Sequence, residues 1–180
     1  MVKKNKECWY DPDKNANISA GGLLIYNDEG VWLIKEMKKN KINYTDPGGR
    51  YRFEDCHIHN CIIREFNEET YFSFNLSLDV KSIFDDCVYV YSYGKPVYMC
   101  YMIRSEDISS FLQIELDTSI VLERREEILE NNKDLPENFY TSLNYDFVTY
   151  EFIRSNFDKM SYRLKRILKS FDTINRKIFG

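Results

Sequence analysis

The chain is poor in glycine and proline, with 7 and 4 in 180 residues, which excludes collagen-like and low-complexity readings. No apolar run approaches the ~20 residues that a helix needs to cross a bilayer, so no membrane partner is expected. The basic start, MVKKNKECWYDPDKN, has no apolar stretch behind it and does not read as a secretory signal. Histidine is scarce, at 2, and there is no excess of positive charge: 25 Lys and Arg stand against 29 Asp and Glu, a formal net charge of −4. That balance excludes a general nucleic-acid binder while leaving space for a local basic patch. The cysteines are five, Cys8, Cys56, Cys61, Cys87 and Cys100. An odd count without a secretion signal reads as reduced thiols in an intracellular, cytoplasmic setting.

What is plentiful is aromatic surface. Aromatics make up 16% of the chain, with Tyr 14 and Phe 12, beside 43% hydrophobic and 30% charged residues. So much apolar ring surface excludes disorder for most of the chain. The length predicts one domain. Residues 1–17 read as a loosely held polar arm, anchored at most by Trp9 and Tyr10, and residues 18–180 as a single domain. Lys, Asn, Ile and Tyr are frequent while Ala, Gly and Pro are scarce, a bias that suits an AT-rich genome such as that of many large DNA viruses or some parasites.

The pattern predicts a hairpin from Ala20–Tyr26 (AGGLLIY) and Val31–Lys35 (VWLIK) around an Asn-Asp-Glu-Gly turn. Lys38, Lys39 and Lys41 then fall in an exposed loop, and a short strand runs into Pro47-Gly48-Gly49. Ile58–Thr70 (IHNCIIREFNEET) reads as a helix with Ile62, Ile63 and Phe66 on one flank and Ile58 near its edge. Phe74–Phe84, Cys87–Tyr93 and Pro96–Arg104 read as strands, the last two joined by a tight turn at Gly94-Lys95. A short helix, a loop and a helix around Val121–Asn131 follow within Ser105–Asn132. Leu135–Tyr145 is irregular, and Phe147–Phe157 fits strand or helix equally. Ser161–Phe179 reads as one amphipathic helix.

The chemistry concentrates in Gly48–Phe72, GGRYRFEDCHIHNCIIREFNEETYF. Glu65, Glu68 and Glu69 sit at i, i+3 and i+4, within an arc of about 100° on one helix face. Three such carboxylates repel unless something positive lies among them. An oxygen-only donor set favours a hard divalent ion, Mg²⁺ or Mn²⁺. Arg64 lies i, i+4 from Glu68 and can orient it. Gly48-Gly49 can bring a backbone carbonyl to the same ion.

Arg64-Glu65-Phe66-Asn67-Glu68-Glu69-Thr70-Tyr71-Phe72 resembles the second half of the Nudix box, G-x5-E-x7-R-E-U-x-E-E-x-G-U with U apolar. The R-E-U-x-E-E core is complete and the double glycine stands upstream. Counting from Gly49 makes Asp55 the first acid of the box, with a gap of eight residues to Arg64. Counting from Gly48 makes it Glu54, with a gap of nine. Tyr71 stands where the box ends in glycine. The resemblance implies an α/β/α sandwich with a mixed sheet, here with a C-terminal amphipathic helix added. It implies metal-dependent hydrolysis of a nucleoside diphosphate linked to another moiety, with a nucleotide-type or capped-RNA substrate and room for a homodimer. On the same resemblance Glu65, Glu68, Glu69 and the Gly49 carbonyl would hold the metal, and Arg64 would fix the cluster. The general base would be a box glutamate or a later acid such as Glu123, Glu126 or Glu127.

Arg50, Arg52 and Lys38 are the candidates for contacts to substrate phosphates, and Lys39 and Lys41 lie beside Lys38. Tyr89, Tyr91, Tyr93, Tyr98 and Tyr101 can cover a sheet or stack a base. Arg163, Lys165, Arg166, Lys169, Arg176 and Lys177 read as the charged outer face of a packed helix or as an RNA contact. Cys56, His57, His59 and Cys61 match no standard zinc spacing.

Overall fold

The computed structural model describes residues 7–132, 135 and 140–180. The expected loose arm lies outside the described residues over 1–6, and the expected irregular segment does so over 136–139.

The sheet is built on β3 (Ala20–Tyr26) and β4 (Gly30–Lys38). The Asn27 side-chain oxygen closes their turn by accepting the N–H groups of Glu29 and Gly30. These strands pair only at Ile25–Trp32 and Tyr26–Val31, next to that turn. Beyond it they part, and residues 41–50 fill the gap. There β5 (Lys41–Thr45) pairs with the far half of β4, and β6 (Gly48–Arg50) pairs with Ala20–Gly22 of β3. Asp46 and Pro47 cross between them, and the Leu23 N–H donates to the Pro47 carbonyl at 3.0 Å.

On its other side β3 runs parallel to β8 (Lys95–Arg104), which pairs antiparallel with β7 (Asp86–Ser92). The free edge of β4 takes β9 (Ser142–Thr149), antiparallel. Alternation then sends side chains to two faces. Leu23, Ile25, Trp32 and Ile34 join one core with Ile58, Ile62 and Phe66 of α1 (Ile58–Glu69), Ile108 of α2 (Ser105–Leu112) and Val121 of α3 (Thr118–Asn131). Leu24, Tyr26, Val31 and Leu33 join the other with Ile153 of α4 (Tyr150–Ser155), Leu164, Ile167 and Leu168 of α5 (Tyr162–Ser170), and Ile174 and Ile178 of α6 (Asp172–Phe179). The result is an α/β/α sandwich around a mixed sheet.

Several elements depart from expectation. The arm is not loose from Trp9 onward: β1 (Trp9–Asp11) and β2 (Ala16–Ile18) form a hairpin, Tyr89 donates to Asp11 at 2.9 Å, and the Trp9 ring lies 4.7 Å from that of His57. The strand expected over Phe74–Phe84 is instead a loop and a 3₁₀ turn, Leu78–Ile83. Asn67 stands in for a strand partner there. Its side-chain amide accepts the Leu76 N–H at 2.8 Å and donates to the Leu76 carbonyl at 2.9 Å.

The expected single C-terminal helix breaks at Phe171, which leaves helical geometry and packs its buried ring edge-on against Tyr26. The β7–β8 turn is Tyr93-Gly94, one residue earlier than expected, with positive φ at both positions. That is the twist a two-residue hairpin needs. Lys38 and Lys41 are paired strand ends around a Lys39-Asn40 turn rather than a loop. Residues 147–157 divide into strand, helix and 3₁₀ turn.

Candidate active site

The β6 strand passes beneath α1, and their approach is close enough to need glycine. A Cβ on Gly49 would stand 2.2 Å from Glu65 Oε2. The Gly48 N–H donates to Glu69 Oε2 at 2.8 Å. Two of the three clustered glutamates are thus held against the double-glycine backbone.

Arg64 ties the rest together. Its Nε and Nη2 form a two-pronged pair with Asp55 at 2.8 and 3.0 Å, its Nη1 reaches Glu65 at 2.6 Å and Glu68 at 3.3 Å, and Nη2 also donates to the Arg50 carbonyl at 2.9 Å. Forked guanidinium pairing of this kind fixes position as well as charge. Of the two candidates for the first acid, Asp55 makes this pair and is buried, while Glu54 is exposed. The extra residue in the gap is absorbed by a 3₁₀ turn, Phe53–Asp55, and by Cys56 at φ 59°. Arg52 reaches Glu68 at 3.6 Å.

The electrostatics follow from burial. Burial works against the charge on Asp55, but Arg64 and the Arg52 N–H outweigh it and hold the carboxyl below its usual range. Burial pushes Glu65 up despite Arg64. It pushes Glu69 up to about 8, against the pull of Arg163 and the Gly48 N–H.

A second arginine closes the site from the opposite layer. Arg163 of α5 pairs with the fully buried Asp46 through Nε at 2.8 Å, and its Nη2 donates to the Asp46 carbonyl at 2.9 Å and to Thr45 Oγ1 at 3.2 Å. Its guanidinium lies over the Tyr98 ring at 4.6 Å, and the Tyr98 hydroxyl donates to Asp46. No local sequence signal separates Arg163 from the surface cations of its helix. Its partner Asp46, two residues before the double glycine, was equally unmarked.

A cleft of about 650 Å³ opens beside β6, with Gly49 and Arg50 on one wall and Arg163 and Arg166 on another. Tyr91 and Tyr93 stand on its rim. Tyr98 lines it from below, buried. Tyr89 and Tyr101 are engaged elsewhere, with Asp11 and with His59 and Phe84.

Lys38 is not brought to this cleft. It lies 3.9 Å from Glu36 and lines a separate hollow with Lys39 and Lys41, because the strands diverge and carry their far hairpin away from α1. Glu123 and Glu127 line another hollow with Phe72 and Ser73, and Glu127 pairs with Arg124. Tyr71 and Phe72 both adopt positive φ after α1, and the Tyr71 ring is buried with its hydroxyl donating to the Ser142 carbonyl at 2.7 Å.

Among the described residues no group of three or more His, Cys, Asp or Glu side chains already stands at metal-holding distances. The Cys56–Cys61 cluster is not one: His57 caps α1 by accepting the His59 N–H, Cys56 is exposed and Cys61 is buried. Glu65, Glu68 and Glu69 still fit a hard cation by donor chemistry. All are oxygen donors, and two are raised by burial, so a cation is what would hold them charged together.

No protein-family model matches the chain, and no curated protein sequence does. Among solved structures the chain is similar to a NUDIX hydrolase from Nitrosomonas europaea, with 12% identity over 89% of this chain and 90% of that one and a TM-score of 0.50. An Ap4A hydrolase from C. elegans aligns over 88% of this chain and 98% of its own, with 15% identity and a TM-score of 0.42. The likeness to the first is one of architecture, and by it the chain has a Nudix-type α/β/α fold.

Proposed function

We propose that the chain is a Mg²⁺- or Mn²⁺-dependent hydrolase of phosphoanhydrides, acting on a nucleoside diphosphate linked to another moiety. One observation carries the reading: the Glu65 carboxylate rests on Gly49, where no Cβ intervenes, with Glu69 anchored on the Gly48 N–H beside it. Glu65, Glu68, Glu69 and the Gly49 carbonyl would hold the ion. When bound, it neutralises the diphosphate, polarises a P–O bond and lowers the pKa of an attacking water. Arg64 keeps the Glu65 and Glu68 carboxylates aligned before any ion arrives. Arg50, on the cleft wall, and Arg52, beside Glu68, would bind the substrate's phosphates.

The test is hydrolysis of a panel of nucleoside diphosphate derivatives, dinucleoside polyphosphates and capped RNA with each metal, by wild type and Glu68→Gln. The expected result is metal-dependent turnover that falls by about 100-fold or more in the variant. The substrate arm that turns over fastest separates free nucleotides from capped RNA. One observation favours a second reading, a nucleotide-binding protein without turnover: each of the three carboxylates already has a partner within the chain. No turnover on any arm, with nucleotide-dependent stabilisation against heat, would establish that reading instead.

A further inference from the structure

Three hollows meet at Tyr162, which is 73% exposed. The first is the cleft beside β6, which shares Gly49 and Arg50 with the candidate site. The second, about 340 Å³, shares Tyr162 and Arg166 with it and adds Lys165 and Lys169. The third, about 560 Å³, runs from Tyr162 and Lys159 to Lys38, Lys39 and Lys41 on the β4–β5 hairpin.

Residues 38–41 and 158–169 hold eight cations and one carboxylate, Asp158, in a chain of net charge −4. Arg163 is turned inward to Asp46 and Lys38 lies near Glu36. Lys39, Lys41, Lys159, Lys165, Arg166 and Lys169 have no carboxylate partner among the described residues. Lys159 lies over the Phe152 ring and Lys165 and Lys169 over that of Phe157, but no carboxylate balances their charge. The first turn of α5 has no acidic residue and carries Arg163, with Lys165 and Arg166 close behind, and cations there oppose the helix dipole. The cations also repel one another unless a polyanion lies among them.

The aromatic side chains decide the kind of polyanion. Arg166 lies over the Tyr162 ring and donates to its hydroxyl at 2.8 Å, which holds the ring in place with a face open to solvent. Tyr91 and Tyr93 stand exposed across the cleft. Exposed rings interleaved with cations along connected hollows suit stacked bases joined by phosphates. We propose that the α5 face and the β4–β5 hairpin bind single-stranded nucleic acid, with Tyr162 as a stacking platform at the mouth of the cleft. The assignment of the cleft as a hydrolytic site enters only in placing the strand's end there.

Fluorescence anisotropy tests the proposal with labelled 12-nucleotide and 2-nucleotide single-stranded RNA, in EDTA so that hydrolysis plays no part. The 12-mer is expected to bind at least about 10-fold more tightly than the 2-mer. Its log affinity is expected to fall with log salt by about 0.7 per phosphate contacted. K41Q/K169Q should reduce that slope by about 1.4, since it removes two exposed cations that no carboxylate holds. Tyr162→Ala should weaken the 12-mer about 10-fold, and Tyr162→Phe, which keeps the ring but loses the Arg166 hydrogen bond, should recover most of that loss.

A DNA 12-mer bound as tightly as RNA supports a backbone-and-base track, and a preference for RNA supports one that also uses the 2′-hydroxyl. A 12-mer that binds no better than the 2-mer overturns the proposal. So does equal or tighter capture by polyglutamate or phosphatidylserine vesicles. Hydrolysis of small substrates by K41Q/K169Q is read separately, so failure of the track and failure of the hydrolase reading are distinguishable.

Discussion

Helices α1 and α5 lie on opposite faces of the sheet and are built alike. Each is amphipathic, and each turns one arginine inward to a buried aspartate, Arg64 to Asp55 and Arg163 to Asp46. The two guanidinium groups grip the same stretch of backbone, at the Arg50 and Asp46 carbonyls. The helices differ in what surrounds the arginine. On α1 it is glutamates, which the arginine gathers into a cluster suited to a cation. On α5 it is lysine and arginine, left facing outward and suited to a polyanion. A similar clamp therefore supports opposite local fields, and the cleft lies between them.

The largest expected effect breaks either clamp. Arg64→Ala or Arg163→Ala leaves a buried carboxylate unpaired and should cost about 3–5 kcal/mol, read from urea unfolding. The comparison sharpens in the double variants D55N/R64M and D46N/R163M, which remove both charges. Each should recover part of its single variant's loss, and a double variant no more stable than the single would show that the pair is not the source of the cost.

Next in size is the end of α1. Tyr71→Gly relieves a left-handed residue, a gain of about 1 kcal/mol, but deletes a buried ring worth about 3–5 kcal/mol. A net loss of about 2–4 kcal/mol is expected, and a melting temperature unchanged or raised would contradict the packing account.

The pH response separates Asp55, held by the Arg64 clamp, from Glu69. Asp55, with a lowered folded pKa, adds stability that is present above the ordinary carboxylate range and is lost as pH falls through the lowered value. Glu69, raised to about 8, does the reverse: its share is present below the ordinary range and is lost as pH rises through about 8. In EDTA, Glu69→Gln should remove the decline between the ordinary carboxylate range and about pH 8, and Asp55→Asn the one at acidic pH. The smallest effect is at the cleft rim, where Tyr93→Asn should stabilise the hairpin by about 0.5 kcal/mol, since asparagine tolerates the left-handed turn better.

Much of α1 was legible because its signals are local. Residue spacing places Glu65, Glu68 and Glu69 on one face, and Gly48-Gly49 marks a close backbone approach. Asp55 against Glu54 was not decidable, because counting along a chain cannot show that Cys56 turns left-handed and takes up the extra residue. The segment 74–84 alternates like a strand, yet Asn67 satisfies Leu76 from the helix and removes the need for a partner. The break at Phe171 keeps helical spacing in the sequence, and its cause, the Tyr26 ring, lies 145 residues earlier. Arg163 and Asp46 are legible only as a pair, and they become one only once the chain has folded.

The parting of β3 and β4 also sets an order of events. Asp46 and Pro47 sit in that gap, and their wall is finished by Arg163, 117 residues further on. The parallel pairing of β3 with β8 likewise joins residues 78 apart, such as Ala20 and Tyr98. Contacts of such long range form late and slowly. A nascent chain thus presents all three glutamates of α1 well before it can supply the arginine that closes the opposite wall. During synthesis the acidic cluster exists for a time without its basic counterpart, and the assembled cleft is among the last parts of the molecule to form.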